Sequence, residues 1–322
     1  SLIQTSKTKW RRTRRSAPTG TGYNAALLAE LVGPSGVVTT VDIDPEIVAE
    51  AREHLTAAGY GHVAVHVGDG RDGWAASAPY DRVILTVGAD DIWPAWYEQL
   101  AEDGLLVLPL QLAGGQVSVA FRKRGALASE SVTPCGFMRL RGGAATGPTP
   151  VALPDGRRLS GEGVAEIAGP VAALLRTRPQ LRVGRRVDAR LLQCLGFRLS
   201  GLSAQNETQD QAYAARAGRL VTLFPKKFDG RGRRVRHGVY VEGPDGPSLA
   251  LFANALPLLW VFGRSAAEQL AEDALAQRTS AILPVEQWRI AAAPYAAAAP
   301  VPVGALRLVR RHFVFDVWMS DP

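Results

Sequence analysis

The sequence predicts an α/β protein: a doubly wound parallel sheet over its first 142 residues, followed by an α+β domain. Three observations predict it. Short β-rich runs alternate with helical patterns from residue 19 to residue 110, as βαβ units do. A Gly-, Pro- and Thr-rich stretch, RGGAATGPTP at 141–150, breaks that rhythm. Beyond it the patterns become mostly strands with two helices, and the alternation does not return.

The elements follow in order. YNAALLAELV carries apolar residues Ala26, Leu27, Leu31 and Val32 on a helical period and is stopped by GPSG. VVTTVDI at 37–43 is β-rich and ends on an acid. DPEIVAEAREHLTAAGY starts a helix with Asp44 at the N-cap, Pro45 in the first turn, and Glu46 and Glu50 early. VAVHVG at 63–68 and YDRVILTVG at 80–88 are strands. PAWYEQLAED at 94–103 reads as a helix closed by Gly104, and LLVLPL at 105–110 as a strand. VSVAFRKRG and LASESVTPCGF read as antiparallel strands that finish the sheet. In the second domain GVAEIAGPVAALLR and SAAEQLAEDALAQ are helical, and RLVTLFP, HGVYVEG, SLALFAN and HFVFDVWM are strands. The low-complexity AAAPYAAAAPVPVG at 291–304 reads as a loop. The predicted organisation is a basic irregular segment (1–18), the α/β domain (19–142), a linker (143–152) and the α+β domain (153–322).

Composition narrows the function classes. A chain of 322 residues, 47% apolar and 21% charged, suits two globular domains with sizeable cores. Two cysteines, Cys135 and Cys194, make neither a disulfide framework nor a zinc cluster, which fits a reducing compartment, the cytoplasm. LALFANALPLLWVFG is shorter than a membrane span and carries Asn254 and Pro257, so no membrane association is expected. The basic N-terminus lacks the apolar core of a signal peptide. The net charge of +7 is largely one tail: Lys7, Lys9, Arg11, Arg12, Arg14 and Arg15 leave +1 for the rest. That tail reads as a solvated arm, and nucleic acid is not an expected partner.

The chemistry lies in the spacing. Gly20 and Gly22 form a turn ahead of the first helix, Asp42 ends the next strand, and Asp69 with Gly70 follows the third. In a doubly wound sheet these points share the carboxyl edge, where ligands bind. Glycines let a backbone approach a cofactor, and a carboxylate after the second strand can take two ribose hydroxyls. A dinucleotide fold fits these features about as well, although the third glycine of the dinucleotide fingerprint is missing. A plain turn-capping role for Asp69 also fits.

Four blocks in order, TGTGYNAALLAEL, VDIDPEIVAEARE, GYGHVAVHVGDGRDGW and APYDRVILTVGA, closely resemble the protein-L-isoaspartate O-methyltransferase family. PAWYEQL and CGFMRLRG resemble an actinobacterial-type branch with a C-terminal extension. The resemblance covers roughly residues 19–142 and implies a Rossmann-like methyltransferase sheet that uses S-adenosyl-L-methionine. It implies a carboxyl O-methyltransferase acting on isoaspartyl or aspartyl residues of a peptide or protein in protein repair. A peptide-tailoring enzyme and an inactive peptide-binding fragment are the alternatives. By resemblance Gly20, Thr21, Gly22 and Tyr23 belong to the cofactor loop. Asp42 is the ribose-binding acid, with Ile43 beside the adenine. Asp69 and Gly70 cap the adenine edge, and Val87 and Gly88 face the methionine part. No metal is implied, and no catalytic residue can be carried over. The family's loop follows an apolar strand with an acid and a glycine, where this chain has Ser16 and Pro18. The first strand is therefore expected to be degraded or missing, and SLIQT to be the tail of a substrate segment. Residues 6–18, with six basic residues and no acid, read as out-of-frame sequence. Without a central strand the α/β domain is expected to be weakly stable.

The remaining candidates read blandly. FPKKFDGRGRRVRHG at 224–238 reads as a solvated hairpin loop, with an acidic peptide or the phosphate backbone of a nucleic acid as the alternative partners. His54, His62 and His66 fall on a helix, a loop and a strand, which is no metal spacing. Trp93 and Trp96 are expected to pack a helix on the sheet, with a place at a substrate rim as the alternative, and both cysteines to be inert.

Overall fold

The structure is a computed structural model. It describes residues 2–6, 22–112, 115–138, 140, 150–161, 163–183, 218–226, 235–243, 246–252, 258–264, 267–269, 288–301 and 305–319. The chain forms two compact units, one from Ser1–Gln111, Gln116–Thr146 and Glu286–Pro322, the other from Leu112–Gly115 and Gly147–Val285.

The first unit begins with β1 (Leu2–Ser6), α1 (Tyr23–Val32), β2 (Val37–Asp42), α2 (Pro45–Ala57), β3 (Ala64–Val67) and β4 (Tyr80–Leu85). It continues with α3 (Pro94–Glu98), β5 (Leu100–Leu112), β6 (Gly115–Arg124) and β7 (Ala126–Cys135). After the second unit's β8 (Val151–Ala152), β9 (Arg158–Gly161), α4 (Val164–Leu174), β10 (Gln180–Val183), β11 (Gly218–Phe224), β12 (Arg236–Gly243), β13 (Gly246–Phe252) and β14 (Leu258–Gly263), the chain returns. It then adds β15 (Trp288–Pro294), β16 (Leu306–Val309) and β17 (Phe313–Met319) to the first sheet.

That sheet runs β16-β17-β15-β7-β6-β5-β4-β1-β2-β3. β2 with β3 and β4 with β5 are parallel pairs, as the alternation predicts. Ala25, Leu28, Ala29 and Val32 of α1 and Val48, Ala51 and Leu55 of α2 share one core with Val38, Val63 and Val65. Of the stripe read for α1 only Val32 is in that core; Ala26 and Leu31 are partly buried against it, and Leu27 is 39% exposed. The N-cap of α2 is built as read: the Asp44 carboxylate accepts from the amides of Glu46 (3.0 Å) and Ile47 (3.5 Å), and Pro45 opens the helix. Two fixed points show that α1 and α2 lie alongside in the same sense. Tyr60, just past α2, donates its hydroxyl to Glu30 near the end of α1 (2.8 Å), and Gly22 at the start of α1 abuts Ala51 and Leu55. At the outer strand, Gly68 N–H donates to Asp42 C=O (2.9 Å), so even-numbered residues of β3 address β2. The Val65 carbonyl therefore points outward, where Arg52 donates to it (2.6 Å).

Four further features differ from expectation. The slot between β2 and β4 is filled by β1, running antiparallel to both, with Leu2 opposite Val41 and Leu85 and Ser6 opposite Val37. Residues 1–18 are thus not irregular throughout, since Leu2–Ser6 is strand. Two mid-sheet strands would otherwise present unpaired backbone groups to each other. LIQTS is the stretch ahead of the glycine turn with β-prone residues and neither a charge nor a proline. The predicted helix 94–103 ends at Glu98, and the following strand starts at Leu100 rather than 105. Fully buried Leu100 pairs with Tyr80, and a register shift with Asp103 at φ 58° joins it to the rest of β5. AAAP at 291–294 is strand, not loop: β15 pairs with β17 along its length and meets β7 at Ala291 and Ala292. The repeated alanines hide a strand whose anchors, Trp288 and Ile290, are fully buried. By these pairings 288–319 belongs to the first sheet, whereas the sequence placed all of 153–322 in one body.

The second unit is an antiparallel sheet ordered β10-β14-β13-β12-β11-β9-β8. α4 presents Val164, Ile167, Val171 and Leu174 to Val221, Leu223, Tyr240, Leu249 and Leu251 of this sheet. The helix expected over 265–277 lies largely outside the described residues, as do the linker residues 141–149 and most of the basic stretch 227–234.

Candidate functional site

The carboxyl ends of β2 and β3 are joined by the Gly68–Asp42 backbone bond. This brings Asp42, Ile43, Asp69 and Gly70 to one edge of the sheet. Asp42 is half-buried, and its Oδ1 accepts the Asp44 amide (3.2 Å), which fixes the carboxylate at the strand end. Ile43 is 43% exposed beside it. The Asp69 side chain accepts from Arg71 N–H (3.1 Å) and starts the one-turn helix Gly70–Asp72. Asp69 thus does cap its turn, and its place at the edge is kept by that cap.

The turn 70–74 is clamped from below. Trp96, fully buried, donates its indole N–H to Gly70 C=O (2.7 Å). Gln99 accepts Trp74 N–H on Oε1 (2.9 Å) and donates Nε2 to Asp72 C=O (2.8 Å). Tyr80 donates its hydroxyl to Trp74 C=O (2.6 Å), and Trp74 stacks on His66 with ring centroids 3.7 Å apart. Gly73 has φ 58°, and a Cβ there would strike Gln99. Burial and the nearby Arg52 cation hold the His66 imidazole below its ordinary pKa.

Gly22 precedes α1 with φ 91°, a conformation natural to glycine, and among the described residues no side chain caps the helix start. A Cβ at Gly22 would lie 3.0 Å from Leu55 Cγ and 3.1 Å from Ala51 C=O, so the small residue sets how closely α1 and α2 pack. Tyr23 follows, 53% exposed. Gly20 and Thr21 lie outside the described residues. Val87 and Gly88 follow β4 at the same edge as Asp42. Gly88 N–H donates to Met138 C=O (2.7 Å) and Gly88 C=O accepts from Leu140 N–H (2.9 Å). A Cβ there would collide with Gln116, whose amide accepts from Phe137 N–H (2.6 Å). Gly88 therefore serves this edge by its lack of a side chain.

Three supports, buried Trp96 and Gln99 and half-buried Gln116, are not read as site residues from the sequence. Trp96 reads as a packing or rim residue, and its indole N–H bond to the turn has no sequence signal. A glutamine carries no sequence signal that its amide will replace backbone partners. Among the described residues no three metal-ligating side chains cluster. Cys135 is half-buried, and burial pushes its thiol up to about 11.

Residues 17–145 match the model of the family described as protein-L-isoaspartate(D-aspartate) O-methyltransferase. This segment belongs to that family. The four motif blocks thus carry the resemblance correctly, and Asp42, Asp69 and Gly88 all lie within the match. Two of the similar curated proteins are protein-L-isoaspartate O-methyltransferases. The one from Ignicoccus hospitalis is 47% identical over 93 residues, 29% of this chain and 44% of that protein. The one from Methanococcus maripaludis is 36% identical over 125 residues, 38% of this chain and 58% of that protein. The chain thus spans about half the length of these relatives. A solved protein-L-isoaspartate O-methyltransferase structure aligns over 84% of this chain and 69% of its own, with a TM-score of 0.40 and 20% identity. The architecture above rests on the chain's own strand pairing.

Proposed function

We propose that the first unit binds S-adenosyl-L-methionine at the Asp42–Asp69 edge. We propose further that it acts in the cytoplasm as a carboxyl O-methyltransferase on isoaspartyl or aspartyl residues of peptides and proteins, in protein repair. One observation carries the reading. Within a segment of this family, two carboxylates and an exposed apolar residue stand at the joined ends of adjacent parallel strands. The donor set fits the adenosine part. A carboxylate after β2 can accept both ribose hydroxyls, Ile43 offers an apolar face, and Asp69–Gly70 borders the adenine edge. On the family's pattern Gly20, Thr21, Gly22 and Tyr23 are assigned to the cofactor loop, and Val87 and Gly88 to the methionine side.

When bound, the cofactor supplies an activated methyl on a sulfonium. The chain's residues then have one task, to position. A peptide carboxylate has a pKa of about 4 and is already ionised at pH 7, so the chain needs no general base. Holding acceptor and donor in line can supply about 7–11 kcal/mol of barrier lowering. The Gln99 and Trp96 clamp keeps the 69–74 turn fixed for that purpose.

Titration of the full chain with S-adenosylhomocysteine by calorimetry tests the site. Micromolar binding is expected, weakened about 10–100-fold in Asp42→Asn, which forfeits charge-assisted hydrogen bonds to the ribose. No binding by a folded chain would end this reading. Transfer of labelled methyl to an isoaspartyl peptide then tests the activity.

A second reading, nucleoside and peptide binding without turnover, is favoured by β1. A parallel first strand would deliver the glycine loop at the carboxyl edge. Here the chain leaves β1 at Ser6, opposite Val37, at the other edge. Cofactor binding with no transfer to any peptide would support it.

A further inference from the structure

Three segments far apart in sequence meet beside the Asp69 turn. Arg71 follows the turn, Trp93 precedes α3, and His312 sits in the hairpin between β16 and β17, outside the family match. The Arg71 guanidinium lies over the Trp93 ring, 5.8 Å from its centroid. The His312 ring meets Trp93 at 4.7 Å, tilted 49°. Asp91 fixes this meeting. Its buried carboxylate accepts Ile92 N–H and His312 N–H, each at 2.8 Å, so the hairpin is pinned by its backbone and the imidazole is left to other work. Tyr295 N–H also donates to His312 C=O (2.8 Å).

The electrostatics of the stack are lopsided. Arg71 meets Asp69 (3.6 Å) and Asp72 (3.3 Å) through Nε, and both distances exceed a good hydrogen bond. Among the described residues no hydrogen bond uses its two terminal nitrogens. Its side chain is 40% exposed. The result is a partly exposed guanidinium over an aromatic face, whose two terminal nitrogens make no hydrogen bond among the described residues. A guanidinium with those donors unused can take a carboxylate bidentately. The neighbouring Asp91 does not compete, since its oxygens are committed to backbone N–H groups. His312 Nε2 is buried with no hydrogen-bond partner among the described residues, an unmet polar group at the same stack.

We propose that Arg71, oriented by Trp93 and flanked by His312, is a carboxylate-binding subsite for an acidic peptide at the rim of the Asp42–Asp69 edge. The C-terminal hairpin thereby contributes to peptide recognition. The subsite rests on the methyltransferase reading for its purpose but not for its chemistry. Its carboxylate is either that of isoaspartate or that of a neighbouring acidic residue.

The test is binding of fluorophore-labelled peptides to the full chain by anisotropy, with three probes: one with isoaspartate, one with asparagine there, and one with that asparagine beside a glutamate. The chain is expected to bind an acidic probe at least about tenfold more tightly than the neutral asparagine probe, as a charge-assisted pair predicts. Preference for isoaspartate alone assigns the acceptor carboxylate, and preference for both acidic probes assigns any nearby carboxylate. Arg71→Met is expected to erase the preference and Arg71→Lys to restore part of it. His312→Gln, which leaves the Asp91 latch intact, is expected to weaken acidic probes about threefold and leave the neutral probe unchanged. Melting temperatures report folding, and if Arg71→Met unfolds, Arg71→Lys and His312→Gln decide. Undiminished preference in folded variants, or no preference in the parent chain, overturns the subsite. S-adenosylhomocysteine titration of the same samples separates the two ideas. Acid preference without nucleoside binding removes the proposed function and leaves the subsite standing.

Discussion

Gln99 is the side chain on which the 69–74 turn most depends, and replacing it by methionine isolates its amide from its volume. Gln99 is 8% exposed, and its two hydrogen bonds, 2.9 Å from Trp74 N–H and 2.8 Å to Asp72 C=O, end on backbone groups with no other route into secondary structure. Methionine fills similar space and satisfies neither. Each bond contributes about 1 kcal/mol net, and a backbone group left unpaired while partly buried costs about 1–3 kcal/mol. With both groups only partly shielded, the sum is about 2–4 kcal/mol. For a body of 150–250 residues that lowers the melting temperature by about 4–16 °C. Asp69 opens this turn, so nucleoside affinity should fall with it. The assay is thermal melting by circular dichroism, followed by calorimetric titration with S-adenosylhomocysteine. Gln99→Glu is the internal control. Its carboxylate accepts Trp74 N–H but repels Asp72 C=O, and its protonated form can donate. The folded-state pKa of that glutamate is therefore raised. The stability it contributes is present below its unfolded pKa and lost as pH rises through the folded one, so this variant should recover on acidification while Gln99→Met should not. A Gln99→Met chain that melts within about 1 °C of the parent and binds the nucleoside equally well would refute the clamp.

Three further outcomes follow from features already described. With its thiol at about 11, Cys135 is about one-thousandth thiolate at pH 8, so iodoacetamide should label it, read by peptide mass spectrometry, at least about a hundredfold more slowly in the native chain than in guanidinium. His66 has a depressed pKa, so the native state favours the neutral ring; its contribution is present above about pH 6.5 and lost as pH falls through the folded value, and His66→Asn should flatten the fall in melting temperature between about pH 7 and 5. Ile3→Pro removes a donor from the strand between Thr40 and Ile84 and should expose the first unit to protease before the second; an unchanged digestion pattern would place Leu2–Ser6 outside the working sheet.

Legibility in the sequence tracked how local the cause was. The α2 start was readable because Asp44, Pro45 and Glu46 act within one turn. The parallel pairs were readable because β2, β3 and β4 are β-rich and bounded by turns. Asp42 and Asp69 were readable because strand ends recur at fixed places in an alternating chain. The causes of the misses lie far away in sequence. Leu2–Ser6 looks like a tail until β2 and β4 leave a slot. Ala291–Ala293 look like filler until β7 and β17 close on both sides. Gln99 sits where a helix seemed to run on, and only the tertiary position of Trp74 and Asp72 gives its amide a task. His312 was invisible as a site residue because its link to Asp91 spans 221 positions.

The Arg52 contact to the outward Val65 carbonyl has a consequence for how this protein keeps company. β3 is the last strand in the described order, and such a border is ordinarily a template on which foreign strands can register. A guanidinium seated on one of its acceptors interrupts the row of hydrogen-bonding groups and places a positive charge where an incoming backbone would lie. Growth by addition of like strands is thereby discouraged at this border by a residue that belongs to the neighbouring helix. The same residue ties that helix to the strand it protects, so fraying of α2 and exposure of the border would be one event.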